Sequence, residues 1–236
     1  MRVALVACAM AAVALLLLAL AGPSFRIGLL SLASASRLLQ WAMYAGLIGT
    51  ATAVFAGLLA YRRRARLALL VAGLALAASV TASAVPFEWD RRARSAPPIH
   101  DVSTDLENPP AFDAIMPLRA DASASLDRPP IVAARQRDAY ADVTPLVLPV
   151  PLDQAFTRAL AAAQDAGWQI VTADKSTGRI EATDTTTWFG FTDDIVVRLT
   201  PWGAGTRVDV RSVSRDRDRD MGSNARRIRR YLAALQ

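Results

Sequence analysis

Residues 1–85 contain no aspartate and no glutamate; all 21 acidic residues of this 236-residue chain lie beyond them. There is one cysteine (Cys8), one histidine (His100) and one lysine (Lys175). A lone cysteine excludes an intrachain disulfide, and a lone histidine excludes a histidine metal cluster or a His–His relay. No phosphate loop, dinucleotide fingerprint or haem-attachment motif is present, so no cofactor or metal is expected. Cys8 sits early in an apolar run. A lipoprotein cleavage box would follow such a run, so Cys8 reads as a small apolar packing residue.

Charge is also missing from three long stretches, 3–21, 38–60 and 67–85. Each reaches the roughly 18–20 residues that a helix needs to cross about 30 Å of hydrocarbon. The first run is longer than the apolar core of a signal peptide and is expected to be retained. Without an acid, lysine or histidine inside a span, an ion pathway or proton relay has nothing to work with. The lipid bilayer is therefore the first partner. Ala45, Gly46, Gly49, Ala53 and Gly57 place small residues along the second span. They let helices approach closely, either within the chain or between copies in a homo-oligomer.

The formal net charge of +6 does not belong to the soluble part. Seven arginines precede residue 86, which leaves 20 basic residues against 21 acidic ones in the remainder. Nucleic-acid binding, which needs the charge on the folded domain, is not expected. Arg62, Arg63, Arg64 and Arg66 crowd the short connection after the second span. Arg26, Arg37, Arg91, Arg92 and Arg94 compete on the other side, but the tighter cluster decides for the cytoplasm. The N-terminus is then cytoplasmic and the soluble domain extracytoplasmic. Abundant alanine and arginine with a single lysine point to a bacterium with GC-rich DNA. The expected location is its inner membrane, with the domain in the periplasm.

Eleven of the 13 prolines fall within residues 86–151. Proline fixes φ and removes a donor, so 86–142 reads as an extended arm, neither regular helix nor sheet, with a helical turn near 133–140. Phe112, Ile115, Met116, Ile131 and Tyr140 are apolar anchors that would let it wrap partly around the domain. From 143 the pattern turns globular: strand 143–150, helix 152–166, strands 168–172, 179–185, 194–200 and 206–214, helix 224–235. The order β-α-β-β-β-β-α predicts an α+β fold, a two-layer sandwich with helices on one face of an antiparallel sheet. Ile180, Ala182, Ile195, Val197, Leu199, Val208 and Val210 would face the helices. Arg179, Glu181, Thr183, Asp194, Arg198, Arg207, Asp209 and Arg211 would form the other face, as a solvated surface or a polar binding surface.

Several separated segments are similar to one known family. They are Ile99-His100-Asp101-Val102-Ser103-Thr104-Asp105-Leu106-Glu107-Asn108-Pro109-Pro110-Ala111-Phe112, Gly178-Arg179-Ile180-Glu181-Ala182-Thr183, Trp188-Phe189-Gly190-Phe191-Thr192-Asp193-Asp194, Arg207 to Arg215, and Asp220 to Ile228. Together they resemble the bacterial and plastid family called domain of unknown function 1499, over about residues 97–235. The resemblance implies a kind of protein, three-span members included, but no activity. Asp216-Arg217-Asp218-Arg219 departs from it, being longer and more charged than the usual turn.

The candidate ligand-binding residues are His100, Asp101, Asp105, Asp193, Asp194, Arg211, Ser214, Arg215, Asn224 and Arg227. Arg211, Ser214, Arg215, Asn224 and Arg227 surround the start of the last helix, where free N–H groups and arginine forks favour phosphate or carboxylate. The competing reading pairs these arginines internally with Asp101, Asp105, Asp193 or Asp209. Asp193 and Asp194, adjacent on a strand, must point to opposite faces, which excludes a facing carboxylate pair. Asp216, Asp218 and Asp220 have calcium-loop spacing, but Met221 and Arg227 stand where that loop needs glycine and glutamate. Trp188, Phe189 and Phe191 belong in a core or against the bilayer. The function expected is a non-enzymatic envelope module that binds another envelope protein, a lipid or an anionic ligand. The alternatives are a hydrolase using His100 with the Asp/Arg cluster, and a membrane-assembly protein.

Overall fold

The structure, a computed structural model, describes all of residues 1–236. The chain divides into two compact units, Met1–Ala93 with Thr187–Gly190, and Arg94–Thr186 with Phe191–Gln236. In the first unit, α1 (Arg2–Arg26), α2 (Leu32–Arg62) and α3 (Arg66–Ser95) are each long and apolar enough to cross a membrane. The third helix corrects the expected boundary of the arm. It runs through Pro86 and continues for nine more residues. Glu88 stabilises that extension by pairing with Arg91 at 2.7 Å and Arg92 at 2.8 Å, one turn ahead on the same face.

Small side chains set the spacing of the three helices. Ala7 and Ala11 of α1, Ala53 of α2 and Ala75 of α3 form one buried cluster. A Cβ at Gly46 would lie 2.4 Å from the Ser83 Oγ and 2.8 Å from the Ser79 carbonyl oxygen. The small face of α2 is thus used inside the chain. Gly46→Leu is expected to push α2 off α3 and cost about 1–3 kcal/mol, read as a lower melting temperature in neutral detergent. Gly73→Leu, where a Cβ meets nothing within 4 Å, should leave the melt unchanged. Thr187–Gly190 pack with this unit: Phe189 is buried against Phe25, Trp89 and Trp188, and Arg26 donates to the Thr187 carbonyl.

The second unit is α+β. Its strands are β1 (Asp101–Ser103), β2 (Leu146–Leu148), β3 (Gln169–Asp174), β4 (Arg179–Thr185), β5 (Thr192–Trp202) and β6 (Gly205–Ser214). Its helices are α4 (Pro130–Ala139), α5 (Leu152–Asp165) and α6 (Ser223–Ala234). The antiparallel sheet runs β1-β6-β5-β4-β3, with β2 also on β6. The expected order from β2 to α6 holds. β1 is an addition, because three residues without alternation give no strand signal of their own. They form a strand only by pairing with β6, Val102 opposite Ser212.

One face of the sheet carries the apolar core. Ile180, Ala182, Ile195, Val197, Leu199, Val208 and Val210 pack with Phe156 of α5 and Ile228 and Tyr231 of α6. Tyr231 stacks on Trp168 at 4.7 Å and donates its hydroxyl to the Ala159 carbonyl. The turn from β3 to β4 passes close under β5. Gly178 has φ +64° there, and a Cβ would lie 2.3 Å from the Leu199 carbonyl oxygen.

The second face differs from both expectations. Glu181, Asp194 and Asp209 on it are at most 1% exposed, and Arg211 is buried as well. The arm covers this face. Glu181 accepts N–H groups of Asp113 and Ile115 at 2.9 Å each, and Ile115 is fully buried. Met116 and Ile131, expected as anchors, remain exposed, while Tyr140 packs against the core. An extended segment brings unpaired backbone donors, and a sheet face rich in carboxylates accepts them.

Candidate functional site

The candidate residues divide between the two faces of the sheet, because the β5 alternation sends Asp193 and Asp194 opposite ways. On the helix face, Asp193 is fully buried. It accepts from Arg227 at 2.7 Å, Arg217 at 3.1 Å and the Ser214 hydroxyl at 2.6 Å. Arg227 also reaches Asp184 at 2.8 Å. Asn224 accepts from Arg227 at 2.7 Å and Ser212 at 2.8 Å, and donates to the His100 carbonyl at 2.8 Å. Ser214, Asn224 and Arg227 thus meet Asp193 in one enclosed network.

The start of α6, expected as an anion site, already holds an anion of the chain. The Asp220 carboxylate accepts the N–H groups of Gly222 at 2.8 Å and Asn224 at 2.9 Å. An acid just ahead of a helix is a capping signal, and it was legible at Asp220 before Asn224. Burial pushes the Asp220 carboxyl above the usual range, against those two N–H bonds and with the Asp193 charge adding to the rise. Burial acts on Asp193 in the same sense. The guanidinium groups of Arg227 and Arg217, with the Ser214 hydroxyl, nevertheless hold Asp193 below the ordinary carboxylate value. Asp216 accepts the Thr192 N–H, so two of the three acids at calcium-loop spacing, Asp216 and Asp220, serve as backbone acceptors at separate places.

On the arm face, Asp194 is fully buried between Arg119 and Arg215. Arg119 comes from a short 3-10 turn of the arm, Met116–Arg119, and also donates to the Ala124 carbonyl at 2.7 Å. Asp101 takes a bidentate fork from Arg211, at 3.1 and 2.8 Å, and a bond from Arg128 at 2.7 Å. Asp105 and Asp209 share Arg198 and Arg207 at 2.9–3.1 Å. The His100 ring bonds to none of these acids, its Nε2 lying 2.9 Å from the Ser125 carbonyl oxygen. Arg211, Arg215, Asp101, Asp105 and Asp194 therefore share one face, but in three separate pairings.

Sequence reasoning did not single out Arg119, Arg128, Gln136 or Asp184, and placed Glu181 only among the residues of an open polar sheet face. Arg119 and Arg128 lie in a proline-rich stretch with no periodicity to place them. Glu181 and Asp184 are ordinary charged strand positions until the arm or α6 covers them.

The model of a family described as "Protein of unknown function (DUF1499)" matches residues 101–235. Comparison with curated proteins found no match.

Proposed function

We propose, since the chain belongs to this family of unknown function through more than half its length, that it is a membrane-tethered binding module and not an enzyme. In this reading the three spans hold it in a bacterial inner membrane. The Arg62–Arg66 connection faces the cytoplasm, and the soluble domain stands in the periplasm to engage an envelope protein, a lipid or an anionic ligand. One observation carries the reading: the acids and arginines that could do chemistry are engaged with one another. Asp193, Asp194, Asp101 and Asp209 each accept from two arginines, and each is at most 1% exposed. A general base or nucleophile must reach substrate, and these groups instead hold the arm and α6 to the sheet.

Photocrosslinking of the full chain in intact cells, with mass spectrometry of the adducts, tests the reading. A reproducible protein or lipid adduct at exposed arm positions is expected, and adducts no different from a scrambled-position control would overturn it. Sidedness is read separately. A cysteine placed at exposed Ser123 should react with a membrane-impermeant thiol reagent once the outer envelope is opened.

A further inference from the structure

Two of the buried pairings carry more positive charge than negative. Asp194 faces Arg119 and Arg215, and Asp101 faces Arg128 and Arg211. The surplus at Asp194 reaches water, because the Arg215 side chain is 18% exposed. The surplus at Asp101 reaches it less, because the Arg128 and Arg211 side chains are each only 8% exposed. Their remaining partners are neutral oxygens. Arg211 donates to the carbonyls of Pro110 and Leu126, and Arg128 to the carbonyl of Asp101 and the side-chain oxygen of Gln136. Such acceptors satisfy hydrogen bonds but leave a buried unit of charge uncompensated, an expensive arrangement in a low-dielectric setting. The Nε–H of Arg128 is also buried with no acceptor in the protein.

Arg128 lines a cleft of about 390 Å³ between α4 and the arm. Leu106, Pro109, Pro130 and Ala133 give it apolar walls, and Arg137 and Glu107 bring one charge of each sign. Arg137 is exposed on α4 and enters no ion pair. Counting Asp101, Glu107, Arg128, Arg211 and Arg137, three cations face two anions. We infer that this cleft binds a small organic monoanion, a carboxylate on a short apolar body, with its head on the Arg137 guanidinium and within the field of Arg128. A carboxylate matches the planar fork of a guanidinium, which Arg137 leaves free, and its single charge answers the surplus of one. A dianionic phosphate would overshoot that surplus and meet Glu107. The apolar walls suit a few methylene groups.

The site would supply a ligand for the binding role proposed above, yet it is judged independently of it. Crosslinking in cells reads any partner, and the following reads this cleft alone. Equilibrium dialysis of radiolabelled hexanoate against the full-length chain in nanodiscs of neutral lipid should give saturable one-site binding. Empty nanodiscs give the partition background, and hexanol should fail to displace the label. Arg137→Ala should weaken binding about tenfold, the scale of one lost charged hydrogen bond. Glu107→Gln, which removes a repelling charge from the rim, should tighten it. Both residues are exposed, so both variants should melt like the parent. Absence of saturable binding, equal displacement by hexanol, or affinity unchanged in both variants would overturn the proposal.

Discussion

Replacing Asp194 by asparagine is expected to destabilise the soluble unit by about 3–5 kcal/mol, the scale for stranding one side of a buried ion pair. The shape of the side chain survives and its charge does not. Arg119, 4% exposed, and Arg215 would face each other across a neutral amide. Near this point the arm is tied also through its backbone, the Ala124 N–H donating to the Arg215 carbonyl among other bonds. Arg119 is its only cation on Asp194, and its 3-10 turn follows directly on the Ile115 N–H that Glu181 holds. Denaturant unfolding of the full chain in neutral detergent should show the loss, and limited proteolysis should cut residues 113–125 sooner than in the parent. The comparison is Arg229→Ala, which breaks a pair with Asp142 at side-chain exposures of 39% and 60%. That pair competes with water and should be worth less than about 1 kcal/mol. Equal losses in the two variants would mean that the arm is not held electrostatically.

How much of this could be read from sequence follows from the range of the forces involved. The spans were legible because hydrocarbon demands long uncharged runs, and 3–21, 38–60 and 67–85 supply them. β4, β5 and β6 were legible because one face is a continuous apolar core, which imposes alternation at Ile195, Val197 and Leu199. The end of α3 was misplaced because Pro86 is a local breaker, whereas Glu88, Arg91 and Arg92 rebuild the helix by pairing across a turn. The other face of the sheet was misjudged for a deeper reason. A charged residue on a strand has the same local pattern whether water or an arm lies over it. Glu181 is buried by Asp113 and Ile115, nearly 70 residues earlier, and Asp101 is tied to Arg211 across 110 positions. The set of candidates around the last helix contained the right charges. It lacked Asp220 as their resident capping anion and Arg119 and Arg128 as partners supplied by the arm.

The two buried acids near α6 should answer differently to loss of charge. Asp193→Asn leaves Arg227, 5% exposed, and Arg217, 11% exposed, without their shared carboxylate, and is expected to cost about 3–5 kcal/mol at neutral pH. Asp220→Asn keeps one of the two oxygens, so either the Gly222 or the Asn224 N–H loses its acceptor, at a cost of about 1–3 kcal/mol. It also removes a charge that burial disfavours, which offsets part of that cost, so its loss should be well below that of Asp193→Asn. The pH dependence separates the two further. The folded Asp193 carboxyl lies below its unfolded value, so its contribution is complete above about pH 4. That contribution fades as pH falls through the depressed folded value, because the unfolded chain then binds the proton more readily. The folded Asp220 carboxyl lies above its unfolded value, so its contribution is complete below about pH 4 and fades as pH rises through the elevated folded value. Stability measured from pH 7 down to pH 2 should therefore fall less steeply below pH 4 in Asp193→Asn than in the parent. In Asp220→Asn the stability relative to the parent should fall in a higher range, as pH is lowered through the elevated folded value toward about pH 4, and hold level below it. Parallel curves for all three proteins would show that neither acid titrates differently in the folded domain, and the opposed roles given to them would fail.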